Sequence, residues 1–270
     1  MSKARLILAV SILSLLAGCA GLQREHVPSE QLAGCPKQTA SSLVAKQNRL
    51  GPLSDTHTLN CALTVLRDTQ DPVVRRSSLG SRVCLHLAER ETNQESREKL
   101  AAEGVGFAET ALAHGGNGDG EVHYYLAANL GLAVREHPTQ AMGNLGRLEA
   151  EMKQAVALNP DIDEGGPLRV LGTLYLKAPA WPSGIGDLDK ALELLGKVVK
   201  KHPGHPLNHL FYAQALCAEG DEATLSQARA EYALGEKLLA EGNWGFNKEP
   251  WKKEFDEFQQ ECGEAGPAQQ

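Results

Sequence analysis

From Ser54 to Cys262 the chain repeats one pattern: apolar residues recur at spacings of three and four, and turn residues interrupt the run every 13 to 21 residues or so. Ala, Leu, Glu and Lys fill these stretches, while alternating β-branched runs are scarce, so the spacing predicts amphipathic helices and no sheet. Helices are expected over about 54–69, 72–92, 95–114, 120–136, 139–158, 164–177, 187–202, 206–219, 222–241 and 249–261. Asp71-Pro72, Pro138-Thr139 and Gly204-His205-Pro206 put proline in a first helical turn, where its missing N–H costs nothing. The fold class expected is all-α, with about ten helices.

A self-match sharpens this. Leu148, Met152, Ala155 and Pro160 recur 43 residues later as Ala191, Leu195, Val198 and Pro203, and Ala128, Asn129 and Leu132 recur as Leu171, Gly172 and Tyr175. Residues four and three apart line one face of a helix, and the proline stops it. Such hairpins bury their apolar faces only when stacked, giving a quasi-linear array with a concave surface. At these residues the chain resembles the tetratricopeptide repeat: Leu171-Gly172-x-x-Tyr175 is similar to its first helix, and Ala191, Leu195, Val198 and Pro203 to its second. It departs by an insertion of about seven residues between the paired helices, relative to the usual 34-residue unit. A third unit is fainter, at Tyr212, Ala213 and Leu216, then Ala228, Tyr232 and Gly235, with no closing proline. A non-repetitive helical bundle stays open as the alternative.

The N-terminus has the order that export requires. Lys3 and Arg5 precede an apolar run from Leu6 to Leu16, followed by Ala17-Gly18-Cys19. The run is far shorter than the roughly 20 residues that span a bilayer, and small residues before a cysteine resemble the bacterial lipobox. Residues 1–18 are read as a removed signal, Cys19 as the lipidated residue, and 19–53 as tether and linker, rich in Pro, Gly and polar residues with a short helix near 41–48. Residues 54–262 form the helical domain and 263–270 a tail. Ala20, where inner-membrane lipoproteins carry Asp, implies the periplasmic face of the outer membrane. The chain has 34 Asp and Glu against 27 Lys and Arg, and without a basic cluster it is unsuited to nucleic acid.

The segment between the two best-matched helices, Lys177-Ala-Pro-Ala-Trp181-Pro-Ser-Gly-Ile185-Gly-Asp187, cannot be helical through Pro179, Pro182, Gly184 and Gly186. Trp181 and Ile185 either fold back over the hairpin or line a ligand or partner surface, since loops on rigid scaffolds often carry binding residues. Asp187 is placed to cap the next helix. With its neighbours (Gly165-Gly166-Pro167-Leu168-Arg169-Val170-Leu171-Gly172-Thr173-Leu174-Tyr175, Ala178-Pro179, Gly186-Asp187 and Lys190-Ala191) the stretch resembles the T-component lipoproteins (TatT family) of TRAP transporters. The likeness spans about 120–240 and is strongest over 165–203. It implies a periplasmic, lipid-anchored helical protein that associates with a solute-binding protein, forms trimers with a central pore, and handles hydrophobic or organic-acid ligands. Arg169, Tyr175, Trp181 and Ile185 are the candidate binding residues on this reading, with Arg169 either meeting an anion or tying a helix end. A scaffold for envelope assembly, with no small ligand, is the competing reading.

Five cysteines follow Cys19, and in an oxidising compartment they are disulfide candidates. If the first two long helices form a hairpin, Cys61 and Cys84 reach similar heights; Cys217 and Cys262 fall on the same side of the array. Pairs 61–84 and 217–262 are expected, with Cys35 joined to Cys61 or Cys84 as the alternative. No C-x-x-C occurs. His202, His205 and His209 cluster without a nearby carboxylate, and Asn117-Gly-Asp119-Gly-Glu121 lacks the later acid of a calcium loop, so no metal or cofactor is expected. Phosphate-loop, G-x-S-x-G and H-E-x-x-H patterns are missing too, so a non-enzymatic role is expected.

Overall fold

The computed structural model describes residues 34–68 and 72–263. The expected signal segment, Cys19, the first part of the tether and the tail beyond Gly263 lie outside these. The fold is all-α. Among the described residues eleven α-helices follow in order: α1 (Ala40–Ala45), α2 (Thr56–Asp68), α3 (Val73–Ala88), α4 (Gln94–Ala113), α5 (Gly120–Val134), α6 (Pro138–Leu158), α7 (Gly166–Lys177), α8 (Leu188–Lys201), α9 (Pro206–Glu219), α10 (Glu222–Glu241) and α11 (Lys248–Gly263). Among the described residues the only extended pairing is an isolated bridge between Ala180 and Gly186. No helix among them is long and apolar enough to cross a membrane.

Local chemistry sets the boundaries. Asn93, Asp119, Asp187 and Asp221 each accept a hydrogen bond from a first-turn N–H, those of Ser96, Glu121, Lys190 and Thr224, at 2.8–3.1 Å. Such a cap stabilises a helix by about 1 kcal/mol. Proline opens α6, α7 and α9. Helix α3 stops at Ala88, short of the expected 92, because the Arg90 and Glu91 N–H groups turn to the carbonyls of Leu87 and Ala88, three residues back.

Antiparallel neighbours α3/α4, α5/α6, α7/α8 and α9/α10 stack in sequence. The stripe read from the 43-residue offset is the packing surface: Met152, Ala155, Ala191, Leu195 and Val198 are fully buried, and Leu148 nearly so. Gly172 is small for a reason: a Cβ there would stand 2.7 Å from Leu195 Cγ. Two histidines twice that offset apart repeat one arrangement. The Nδ1 atoms of His123 and His209 lie 2.6 Å from Glu151 and Glu231, on the following helices. Their Nε2 atoms meet the carbonyls of Asn117 and Pro203, six residues upstream, at 3.0 and 2.8 Å.

The two ends of the stack meet. A 3-10 turn at Gly245–Asn247 precedes α11, and a Cβ on Gly245 would lie 3.0 Å from the Pro52 carbonyl and 3.1 Å from Leu53 Cδ2. Arg90, just past α3, donates to the carbonyls of Ser54 (2.7 Å) and Pro52 (2.9 Å). Its guanidinium also sits 4.3 Å from the centroid of the Phe246 ring. The array is thereby closed on itself.

The expected Cys61–Cys84 pair does not form. Cys61 is bonded to Cys35, and Cys84 is a fully buried free thiol. Similar height in the hairpin does not bring the two thiols together, because Cys84 faces inward among Leu79, Val83, Leu87 and Phe107, whereas Cys61 lies where the segment before α1 reaches it. Burial, then the Glu103 charge, push the Cys84 thiol well above its usual range, which keeps it unreactive. Cys217 is also disulfide-bonded; the Cys262 side chain lies outside those described. The Cys35–Cys61 bridge spans a sequence separation of 26. Replacing both cysteines by serine is expected to cost about 3 kcal/mol on chain-entropy grounds, read from urea melts, while iodoacetamide leaves Cys84 untouched until the protein unfolds. No loss of stability in the double variant would show the bridge to be incidental.

Candidate functional site

The inner faces of α5 and α7 border a cavity of about 950 Å³, closed further by the end of α3, the start of α9, and Trp244 and Trp251 from the returning C-terminal segment. Its size is at the top of the range for small-molecule sites. The sequence permits it because α5 is apolar nearly all round: Val122 and Leu126 pack on α4 side chains, while Tyr124, Ala128, Gly131 and Leu132 line the cavity. A helix of that kind must cover two faces. Leu148 and Met152 from α6, Val170 and Leu174 from α7, and Leu207 and Phe211 from α9 complete an apolar middle.

Polar groups gather at the two ends. At the N-terminal ends of α5, α7 and α9, Arg169 donates to Asp163 Oδ2 and to Asn208 Oδ1, both at 2.8 Å. Tyr124 donates its hydroxyl to the same Asp163 oxygen at 3.0 Å. Burial, then the Asp163 charge, hold the Tyr124 phenol far above its usual range. Asp163 and Glu164 have φ of 51° and 50°, followed by Gly165 at 89°. Two consecutive non-glycine residues in the left-handed region are strained, and Arg169 holds them through the carbonyls of both. His86 Nδ1 lies 3.3 Å from Glu89 at the end of α3. At the opposite end of α5 and α7, Arg135, Lys177 and Pro179 line the cavity.

His205, 3% exposed, packs against Trp244 and Trp251 with ring centroids 5.5 and 5.1 Å away, and the two tryptophans also touch each other. Burial first, then the charges of Arg169, His202 and His209, drive its pKa down to about 2. The unfolded chain therefore takes up a proton below about pH 6.5 that the fold refuses. Stability should fall as pH drops below that value, by about 1 kcal/mol per unit from this group, and His205→Phe should flatten the slope between pH 6.5 and 5. Parallel urea melts check this; identical slopes would rule it out. His209 behaves oppositely. Burial lowers its pKa, but the Glu231 carboxylate and the Pro203 carbonyl outweigh that and raise it. Its contribution is full below about pH 6.5 and is lost as pH rises through the folded value.

The four candidate residues do not share a site. Arg169 is 4% exposed and lines the cavity, where it ties the starts of α7 and α9. Tyr175 points the other way, its hydroxyl 2.7 Å from Glu149 and its ring 5.3 Å from Lys190 Nζ. Trp181 is 85% exposed, neither folded over the hairpin nor in the cavity, on a compact turn. That turn is pinned where Gly186 N donates to the Pro179 carbonyl (2.8 Å) and Asp187 N to that of Tyr175 (3.0 Å). A Cβ on Gly186 would collide with the Ala178 carbonyl. Ile185 is half-buried in the same turn. Sequence reasoning missed Tyr124, Leu132, Trp244 and Trp251, because a cavity-facing apolar residue has the same pattern as a core-facing one. The uniform apolarity of α5 was the available signal.

The clustered histidines go to separate partners: His202 to Asp161 (2.8 Å), His209 to Glu231, and His205 to the tryptophans. Among the described residues, Cys35, His57 and Cys61 bring metal-ligating atoms within 4.8 Å of one another, but both thiols are committed to the disulfide. No protein-family model and no curated protein matches the chain.

Proposed function

We propose that the chain is a lipoprotein of the outer membrane's periplasmic face, a helical-hairpin accessory component of a TRAP-type solute uptake system. In this reading it holds a small hydrophobic or anionic ligand and docks on a solute-binding protein without catalysing a reaction. One observation carries the ligand half: a partly open cavity of about 950 Å³ with a mostly apolar lining, where a groove lined by polar residues would have favoured a pure scaffold. Such a cavity is a poor surface for a second protein and a good one for a small apolar molecule. The partner half rests on Trp181, exposed on a braced turn, since aromatic anchors of that kind dominate protein contacts.

Two measurements test it. An apolar fluorescent dye should bind with one-to-one stoichiometry, and failure of any apolar probe to bind would remove the ligand half. A pull-down from envelope extracts should recover a solute-binding protein or transporter subunit, and Trp181→Ala should weaken that recovery. Recovery of assembly-machinery proteins alone would favour the scaffold reading instead.

A further inference from the structure

The apolar middle of the cavity has length as well as volume. From Tyr124 to Arg135 along α5, both lining it, the helical rise covers roughly 16 Å, about the reach of a twelve-carbon chain. Leu132, Leu148, Met152, Val170 and Phe211 offer that stretch no hydrogen-bond partner. A sugar, amino acid or peptide buried there would leave polar groups stripped of water and unpaired, each at a cost in affinity. An alkyl chain loses nothing.

The two ends differ in charge. At the end near Tyr124, Asp163 and Arg169 neutralise each other, and Glu164, which also lines the cavity, leaves that end acidic. An anionic group is repelled there. At the other end stand Arg135 and Lys177. Lys177 has no carboxylate within ion-pair distance among the described residues, and Arg135 meets only its neighbour Glu136, which Arg97 shares. Glu254 on α11 is an acid whose charge reaches both cations, and Glu257 and the cavity-lining Glu89 stand against it. Two cations at helix C-termini also compensate the helix dipoles, so their sign alone does not decide; their position at the mouth of an apolar channel does.

We infer that the cavity takes a single-chain amphiphile with an anionic head, its tail in the apolar middle and its head between Arg135 and Lys177. The inference rests on the ligand-binding reading above. It fixes the ligand's orientation and makes Lys177 and Arg135 the specificity-determining residues.

The test uses the full-length chain carrying Cys19→Ser, so that no attached acyl chain can compete. Dodecanoate, dodecyl phosphate, dodecanol and dodecyltrimethylammonium are titrated against a bound apolar dye, and the two acids distinguish a carboxylate head from a phosphate head. At least one acid should displace the dye about tenfold more tightly than the alcohol, and the ammonium least tightly. In the Arg135→Glu/Lys177→Glu double variant the preference for the acid should vanish while the alcohol still binds. Equal affinities across heads, or a preference that survives the double substitution, would overturn the proposal while leaving an apolar ligand site standing. If no chain displaces the dye, the amphiphile is refuted as occupant; if the dye itself never binds, the cavity is not a ligand site.

Discussion

Replacing Arg169 by leucine is expected to destabilise the protein by about 3 kcal/mol and to lower Tm by roughly 10 °C. The guanidinium is buried and makes its bonds to three structural parts at once: the Asp163 carboxylate, the Asn208 side chain at the start of α9, and the carbonyls of Asp163 and Glu164. Leucine would leave the fully buried Asn208 amide oxygen without a donor. It would also leave Tyr124 as the remaining partner of Asp163 Oδ2, and release the left-handed turn that the arginine braces. The cost is set at the lower end for a broken buried pair because the Asp163 side chain is 36% exposed and can rehydrate. Thermal and urea melts give the number. Arg169→Lys should recover part of it, since an ammonium can reach Asp163 but cannot hold Asn208 as well. A loss below about 1 kcal/mol would mean that the turn is held by something else.

The second large effect separates binding from folding. Gly131 lies in the last turn of α5, on the cavity wall, and a Cβ there meets only Leu148 Cδ2, at an ordinary 3.8 Å. Gly131→Phe should therefore project a benzyl group into open space. It gains helix propensity of up to about 0.5 kcal/mol over glycine and removes room from the ligand. The expected result is an unchanged or slightly raised Tm with apolar-probe affinity weakened at least tenfold, about 1.4 kcal/mol. Gly172→Ala, of the same type one hairpin on, should do the opposite. It collides with Leu195, lowering stability while leaving the cavity wall alone. Unimpaired binding in Gly131→Phe would place the ligand elsewhere.

Much of the fold could be read in the residues. Three-and-four spacing, proline in first turns and Asp or Asn caps put each long helix within a few residues of its observed bounds. The stripe from Leu148 to Ala155 packs as its spacing requires, because helical periodicity is local and the chain carries it directly. The cysteines show where that reasoning stops. Cys61 and Cys84 were matched by height in a hairpin, but height does not fix azimuth, and Cys84 points into the core. The site was legible only in pieces for a related reason. Arg169 stood out as a charge in an apolar helix, yet its companions Asp163, Tyr124 and Asn208 come from different hairpins. No spacing along the chain announces a cavity, which is a property of how far apart the packed faces end. Trp181 was conspicuous by composition and proved to face solvent, away from the cavity.

The meeting of Arg90 and Phe246 with the Pro52–Ser54 segment has a consequence for the family of molecules this architecture allows. An open stack of hairpins can lengthen by one unit at little cost, since each contacts only its neighbours. Here the last turn must land on the first loop. One hairpin more would carry Phe246 past Arg90, and one fewer would leave it short. The circuit counts its own members, so descendants of this chain can vary their loops and the width of the chamber but not the number of hairpins around it. Loss of either terminal segment would also be felt at the opposite one, turning a string that could fray from its ends into a unit that melts as a whole.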